Sequence, residues 1–263
     1  MKISFPFFIL LCLMLACKDE DIVFGSDCYP LDLSNGVIAA YSFSNGSLQN
    51  ETSFPADLIN VNGAIASADR NGNPACAFEF DQTQNDQYLT TSNTAFLNNL
   101  EQFSISVWYL PLDTLRPGGE YEVLVGRNSE EDQRHCPDRV GEWSLGLFDC
   151  RQVVFGHDNS VWMNDPVPHP LSCQDYVNLL TGVWTHVVAV YNNNTFKLYY
   201  NGELHKVESV PAGCSNQYIA RDIGDLFIGR FYTGRIDDIL IYNREISSSE
   251  VAALYSLEPC CQP

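Results

Sequence analysis

The sequence predicts an all-β fold, a sandwich of two antiparallel sheets with one short C-terminal helix. Three observations predict it. Short segments alternate apolar and polar residues, the pattern of half-buried strands. Turn signals rich in Asn, Asp and Gly separate them. Aromatic residues make up 12% of the chain, which favours strands. A chain of 263 residues can bury a sizeable core as one large domain without metals or disulfides.

Taken in order, the first strands are expected at Val37–Phe43, Cys76–Phe80 and Gln87–Thr90. In Phe103-Ser104-Ile105-Ser106-Val107-Trp108-Tyr109 the alternation is strict, so Phe103, Ile105, Val107 and Tyr109 share one face. Glu122–Val125 follows, then two segments in which Trp143, Leu145 and Leu147, and Val153 and Phe155, alternate likewise. Val187–Tyr191 and Phe196–Tyr200 flank Asn192-Asn193-Asn194, a turn that tolerates positive φ. Asn201-Gly202 is a type I′ signal, after which Glu203–Val207 returns. Leu226–Gly229 and Arg235–Tyr242 are the last strands. Ser247-Ser248-Ser249-Glu250 is a capping box, with Ile246 and Val251 placed for a hydrophobic staple. Val251, Leu254 and Tyr255 then form one apolar stripe of a short packing helix.

Charge narrows the partners. Lys and Arg number 14 against 33 Asp and Glu, a net charge of −19. Nucleic acid, heparin-like polymers and anionic membrane surfaces each need a basic face, so none is expected as a partner.

The N-terminus reads as an address. Lys2 precedes an apolar run from Ile3 to Ala16, too short to span a bilayer and suited to a secretory signal. Leu13-Met14-Leu15-Ala16-Cys17 resembles a bacterial lipobox, with Met14 and Leu15 departing mildly from the usual residues. The resemblance implies cleavage before Cys17 and acylation of its thiol. Lys18-Asp19-Glu20-Asp21 looks like the export tag of Gram-negative surface lipoproteins. The expected organisation is a lipoprotein signal over 1–16, an acidic tether over 17–35, the sandwich over 36–257 and a cysteine-containing tail over 258–263. The expected location is the bacterial outer membrane, lipid-anchored and facing outward.

Eight further cysteines remain in the mature chain: Cys28, Cys76, Cys136, Cys150, Cys173, Cys214, Cys260 and Cys261. An even count in an exported protein reads as up to four disulfides, with connectivity open. No CxxC spacing suggests a zinc ribbon or a thioredoxin-like site.

The segment Trp184-Thr185-His186-Val187-Val188-Ala189-Val190-Tyr191 with Leu198-Tyr199-Tyr200-Asn201-Gly202 resembles the LamG-like, concanavalin A-like jelly-roll domains. So do Ile228-Gly229-Arg230 and the run from Gly234 to Arg244 before the capped helix. Val37–Phe43 and Asp69–Asn73 leading to Phe80-Asp81 match the family's opening strands. The resemblance spans roughly residues 36–256. It implies a two-sheet jelly roll and termini on one rim, hence pairing of Cys28 with Cys260 or Cys261. It also implies a structural calcium, whose ligands in related domains come from the first long loop and the Ile-Asp-Asp strand. Here those positions are Asn45, Asn50, Glu51 and one of Asp237 or Asp238, because alternation points the two aspartates to opposite faces. Ser44 stands where the family usually has an acid.

Catalytic patterns are sparse. Glu79 and Asp81 share one face of a strand about 7 Å apart, a spacing that suits an inverting glycosidase pair. Glu79-Phe80-Asp81 resembles the start of the Glu-x-Asp-x-x-Glu signature of jelly-roll glucanases, but Gln82-Thr83-Gln84 lacks the third acid. His186 reads as a packed, hydrogen-bonded histidine of the core. Asp69–Asn73 opens like an EF-hand loop, yet Pro74 and Phe80 stand at its glycine and glutamate positions.

Two long loops, 128–142 and 158–182, are unusual, and their cysteines argue for stapling. Sugar sites combine aromatic faces with amides and carboxylates. Trp162, Asn159, Asp165 and Tyr176 offer that chemistry in the second loop. The expected function is surface-anchored, lectin-like binding or adhesion without catalysis, recognising a carbohydrate, glycoprotein or matrix partner and meeting the membrane only through the lipid anchor. A glycoside hydrolase or polysaccharide lyase on the same fold and a structural spacer are the alternatives.

Overall fold

The computed structural model describes residues 29–84, 86–98, 100–113, 121–128, 142–157, 163–164, 168, 170–209 and 224–259. Two antiparallel sheets face each other. The first contains β1 (Val37–Tyr41), β3 (Ile65–Ser67), β4 (Ala77–Phe80), β6 (Gln102–Pro111), β11 (Thr185–Asn192), β12 (Thr195–Tyr200), β13 (Glu203–Ser209) and β15 (Gly234–Tyr242). Its order is β13-β12-β11-β6-β15-β4-β3, with β1 also on β15. The second contains β2 (Ile59–Val61), β5 (Tyr88–Thr91), β7 (Glu122–Asn128), β8 (Trp143–Phe148), β9 (Gln152–His157), β10 (Met163–Asn164) and β14 (Asp225–Ile228). Its order is β10-β9-β8-β7-β14-β5-β2.

The core between the sheets is built by alternation. Phe103, Ile105, Val107 and Tyr109 of β6 meet Trp143, Leu145, Leu147, Val153 and Phe155 of the opposite sheet there. Phe103 packs against Trp143 at 5.5 Å and edge-on to Phe155 at 6.1 Å between ring centroids. The hairpin turns follow their residues: Asn193, Asn194, Asn201 and Gly202 all take positive φ. That matches the twist of a two-residue hairpin. β1 stops at Tyr41 rather than Phe43, because Phe43 sits at φ 54°, outside strand geometry.

Among the described residues there are three α-helices, not one: α1 (Leu31–Ser34), α2 (Cys173–Leu180) and α3 (Ser248–Ser256). The capping box of α3 is present in full, with the Ser247 side chain accepting from Glu250 N–H and Glu250 accepting from Ser247 N–H. Helix α2 lies inside the long second loop. Its signal was Ser172, which caps Asp175 N–H, and Asp175 in the first turn. The Cys150–Cys173 disulfide fastens α2 to the β8–β9 turn. Cys76 is also disulfide-bonded, to a cysteine outside the described residues. Cys17, Cys28, Cys136, Cys214, Cys260 and Cys261 lie outside them too, as does the expected signal segment.

Helices α1 and α3 cover the outer face of the first sheet. Tyr29, Leu33, Val188, Val190, Tyr199, Leu240, Tyr242, Val251 and Leu254 form a second apolar cluster there. Burying Val251 and Leu254 contributes about 1.5–3 kcal/mol each. Tyr29 and Leu33 belong to the segment expected to be tether, so folded structure reaches back at least to Tyr29. Among the described residues no helix is long and apolar enough to cross a membrane.

Candidate functional site

Two arginines on opposite outer faces organise the polar chemistry. Arg70 belongs to the first sheet's face. Asp69 shapes its turn, accepting from the backbone N–H groups of Asn71 at 2.8 Å and Asn73 at 2.9 Å. Strand β15 supplies the partners. Its pairing with β6 shifts by one residue between Asp237 and Leu240, and Asp238 takes φ 41°. This bulge puts both Ile236 and Ile239 in the core and turns both aspartates outward. The expectation that they face opposite ways is therefore corrected, because strict alternation does not hold across a bulge.

The two carboxylates converge on one guanidinium. Arg70 Nη1 donates to Asp237 Oδ2 at 3.1 Å and Asp238 Oδ2 at 2.6 Å. Nη2 donates to the carbonyl of Leu257 at 3.1 Å. The guanidinium carbon lies 4.4 Å from the Trp108 ring centroid. Tyr29 donates to the other Asp238 oxygen at 3.4 Å, so both ends of the described chain meet here. Burial, then the neighbouring Asp238, pushes the Asp237 carboxyl well above its usual range, against the pull of Arg70. Beyond Trp108, the rings of His186 and Tyr255 continue the stack at 5.0 and 5.6 Å. His186 Nε2 is 2.8 Å from Ser106 Oγ, and burial, with Arg70 nearby, depresses its pKa to about 3. It is the packed histidine that its strand position predicts.

The donors expected to hold calcium are already engaged. Glu51 accepts from the N–H and hydroxyl of Ser42. The Asn50 side chain accepts from Ala40 N–H at 2.9 Å and donates to Thr52 Oγ1 at 2.8 Å and the Phe54 carbonyl at 2.9 Å. Asn45 is exposed, at φ 55° in the turn after β1. With Arg70 between Asp237 and Asp238, this arrangement does not fit the implied ion. Elsewhere, Asp149, Cys150 and Cys173 bring ligand-type atoms within 4.8 Å of one another. The two sulfurs are bonded to each other, so neither is a thiolate.

The other arginine, Arg230, follows β14. Leu226 and Ile228 enter the core, which leaves Phe227 on the outer face of the second sheet. By the same alternation Leu89 points in and Tyr88 out. These two outer rings lie 5.6 Å apart. Arg230 lies among them, its guanidinium carbon 4.8 Å from the Phe227 centroid, 4.9 Å from Phe231 and 5.4 Å from Tyr88. Its Nε is 3.8 Å from Asp86 Oδ2. The turn is pinned by Val123 N–H donating to the Arg230 carbonyl at 2.8 Å and Tyr232 N–H to that of Gly229 at 3.2 Å. Gly229, at φ 73°, has Phe80 where a Cβ would be, 2.5 Å away. Phe231 is 41% exposed at φ 60°, a left-handed backbone unusual for a bulky residue. Phe148, at the end of β8, is another exposed ring of this sheet.

Of the residues expected to bind sugar, Trp162, Asn159 and Asp165 lie outside the described residues. Tyr176 is on α2 and only 7% exposed, so its ring packs inward instead of offering a face. Glu79 accepts from Arg235 Nε at 2.7 Å and Ser67 Oγ at 3.0 Å, while Asp81 accepts from Thr83 N–H at 2.8 Å. The Arg230 cluster was missed in the sequence. Its one local signal is Gly229 before Arg230-Phe231, and Tyr88 and Asp86 join it only in space.

A family model described as the concanavalin A-like lectin/glucanases superfamily, of laminin G type, matches residues 81–252. The chain belongs to this superfamily. Solved structures share its fold. Domain 4 of AbnA, a GH43 extracellular arabinanase from Geobacillus stearothermophilus in complex with arabinotriose, is 17% identical. It matches with a TM-score of 0.55 over 84% of this chain and 98% of that one. The binding domain of botulinum neurotoxin DC in complex with rat synaptotagmin II is 15% identical, with a TM-score of 0.60 over 84% of this chain and 51% of that one. A botulinum neurotoxin type C structure, whose cell entry depends on two ganglioside molecules, matches at 15% identity and a TM-score of 0.60, over 85% and 51%. This superfamily member thus spans about half the length of the neurotoxin chains. At these identities the likeness is one of fold. A search of curated protein sequences finds no match.

Proposed function

We propose that this protein is a lectin-like binding module that recognises a carbohydrate or glycosylated partner through the Arg230 platform. The observation that carries the proposal is Phe231, an exposed ring held in a left-handed turn with a guanidinium against it. Strained, exposed residues of this kind cluster at functional sites. Aromatic faces suit sugar C–H surfaces, and the Arg230–Asp86 pair offers a donor and an acceptor to adjacent hydroxyls. The pair balances its own charge while the chain carries −19, which favours a neutral sugar over an acidic one. The structural neighbours support a binding role, since one holds arabinotriose and another concerns gangliosides.

In this reading the chain binds without turnover, and Trp162, Asn159 and Asp165, which offer aromatic, amide and carboxylate chemistry in the sequence, contribute to recognition. It works at the bacterial surface, held on the outer membrane through acylated Cys17. A glycan array on the soluble domain tests the binding. Phe231→Ala should weaken the strongest signal at least about tenfold, as expected for an aromatic anchor, and Trp162→Ala should weaken it less. Unchanged binding in Phe231→Ala, with loss in Trp162→Ala, would move the site to the 158–182 loop. Metabolic acyl labelling, abolished by Cys17→Ala, tests the anchor.

A further inference from the structure

Arg70 stands where a hard cation would stand. Three oxygen atoms lie within 3.1 Å of its terminal nitrogens: one from each of Asp237 and Asp238, and the carbonyl of Leu257. Two carboxylates and a backbone carbonyl are the donor types that calcium takes. The Arg70 side chain is only 9% exposed, so it is an internal ion and not a surface pair.

We infer that Arg70 is a built-in cation that takes the place of a divalent ion at the junction of β15 with the segments that carry Tyr29 and Leu257. The native protein therefore needs no calcium there, and removing the guanidinium uncovers a divalent-cation site. Arginine suits the role chemically. Its planar fork spans several oxygens at once, its charge persists at every physiological pH, and its flat face rests on the Trp108 indole. The side chain is also held in place from its own turn. Asp69 fixes the backbone that follows Arg70, and Asn71 donates to Glu258 beyond α3. The bulge at Asp238 would otherwise bring two buried like charges together, a costly arrangement without a counter-ion. Two other arginines are also buried. Arg127 is fully buried and donates to the Leu97 carbonyl at 2.9 Å, and Arg151 is buried against Asp113 and Glu122. A chain with few cations thus spends several of them inside.

The test uses the full chain, calcium and terbium. Wild type should show the same melting temperature in calcium as in EDTA. Arg70→Ala should melt roughly 10 °C lower in EDTA, as for a broken buried ion pair, and calcium should restore a large part of that loss. Terbium luminescence excited through Trp108 should appear in Arg70→Ala and stay at the wild-type level in Arg70→Lys. Adding Asp237→Asn and Asp238→Asn to Arg70→Ala should abolish both calcium rescue and luminescence. If Arg70→Ala does not fold in EDTA, recovery of its near-UV circular dichroism on refolding with calcium supports the inference, and failure to recover overturns it. A calcium-induced rise in wild-type melting temperature that Asp237→Asn with Asp238→Asn removes would also overturn it.

Discussion

Arg70 and Arg230 both lie flat against aromatic rings, on opposite outer faces of one sandwich, yet their surroundings differ in what they leave for other molecules. Arg70 is enclosed by two aspartates, a carbonyl and an indole, beneath the segment that follows α3. Arg230 shares its rings with an exposed Phe231 and lies 3.8 Å from Asp86. The same guanidinium chemistry closes a structure in the first setting and presents a surface in the second. The difference comes from what covers the sheet. Helices α1 and α3 lie over the first sheet's outer face, whereas Phe231 and Phe148 of the second remain exposed.

The largest expected effect tests the closed side. Trp108→Ala removes the ring under Arg70 and beside Tyr255, and should cost about 4 kcal/mol in urea unfolding. Glycan binding by the folded fraction should be unchanged, because the platform is on the other sheet. A parallel loss of binding would show that the two faces are coupled. Next, replacing Cys150 and Cys173 together by Ser opens a link spanning 23 residues. Loop-closure entropy puts its contribution at about 3 kcal/mol. Thermal melts of both proteins in reductant, which opens the Cys76 bridge in each, should bring wild type onto the double variant.

On the open side, Phe231→Gly should weaken glycan binding about tenfold, or 1.4 kcal/mol, in a titration. It should leave stability equal or slightly higher, since glycine adopts φ 60° without steric cost. A stability loss above 1–2 kcal/mol would make Phe231 a packing residue and remove the contrast. The smallest effect is Glu250→Gln in the capping box, about 1 kcal/mol at neutral pH. Bonding to Arg244 lowers the Glu250 pKa from 4.5 to about 2. A depressed folded-state carboxyl contributes stability above its unfolded value and loses it as pH falls through its folded one. Wild type should therefore lose this contribution between about pH 4.5 and 2, and the variant should lack that part of the acid limb.

The sequence alone determined the sandwich, the inward face of β6, both Asn-rich turns and the capped α3, because each rests on local chemistry. Alternation, positive-φ tolerance and a Ser–Glu box act within a few residues and leave a readable period. His186 was legible for the same reason, standing mid-strand beside apolar neighbours. Helix α2 was within reach of the same reasoning through Ser172 and Asp175, but it is short and set in a long polar stretch. The Arg230 platform and the Arg70 junction were decided by tertiary structure. Asp86, Tyr88 and Arg230 lie on elements that meet only when β5 pairs with β14, and Arg70 meets Asp237 across 167 positions of sequence. The calcium expectation turned on one bulged residue. Whether Asp238 follows alternation depends on how β15 registers with β6, and that register is set by the packed sheet, not by the aspartates themselves.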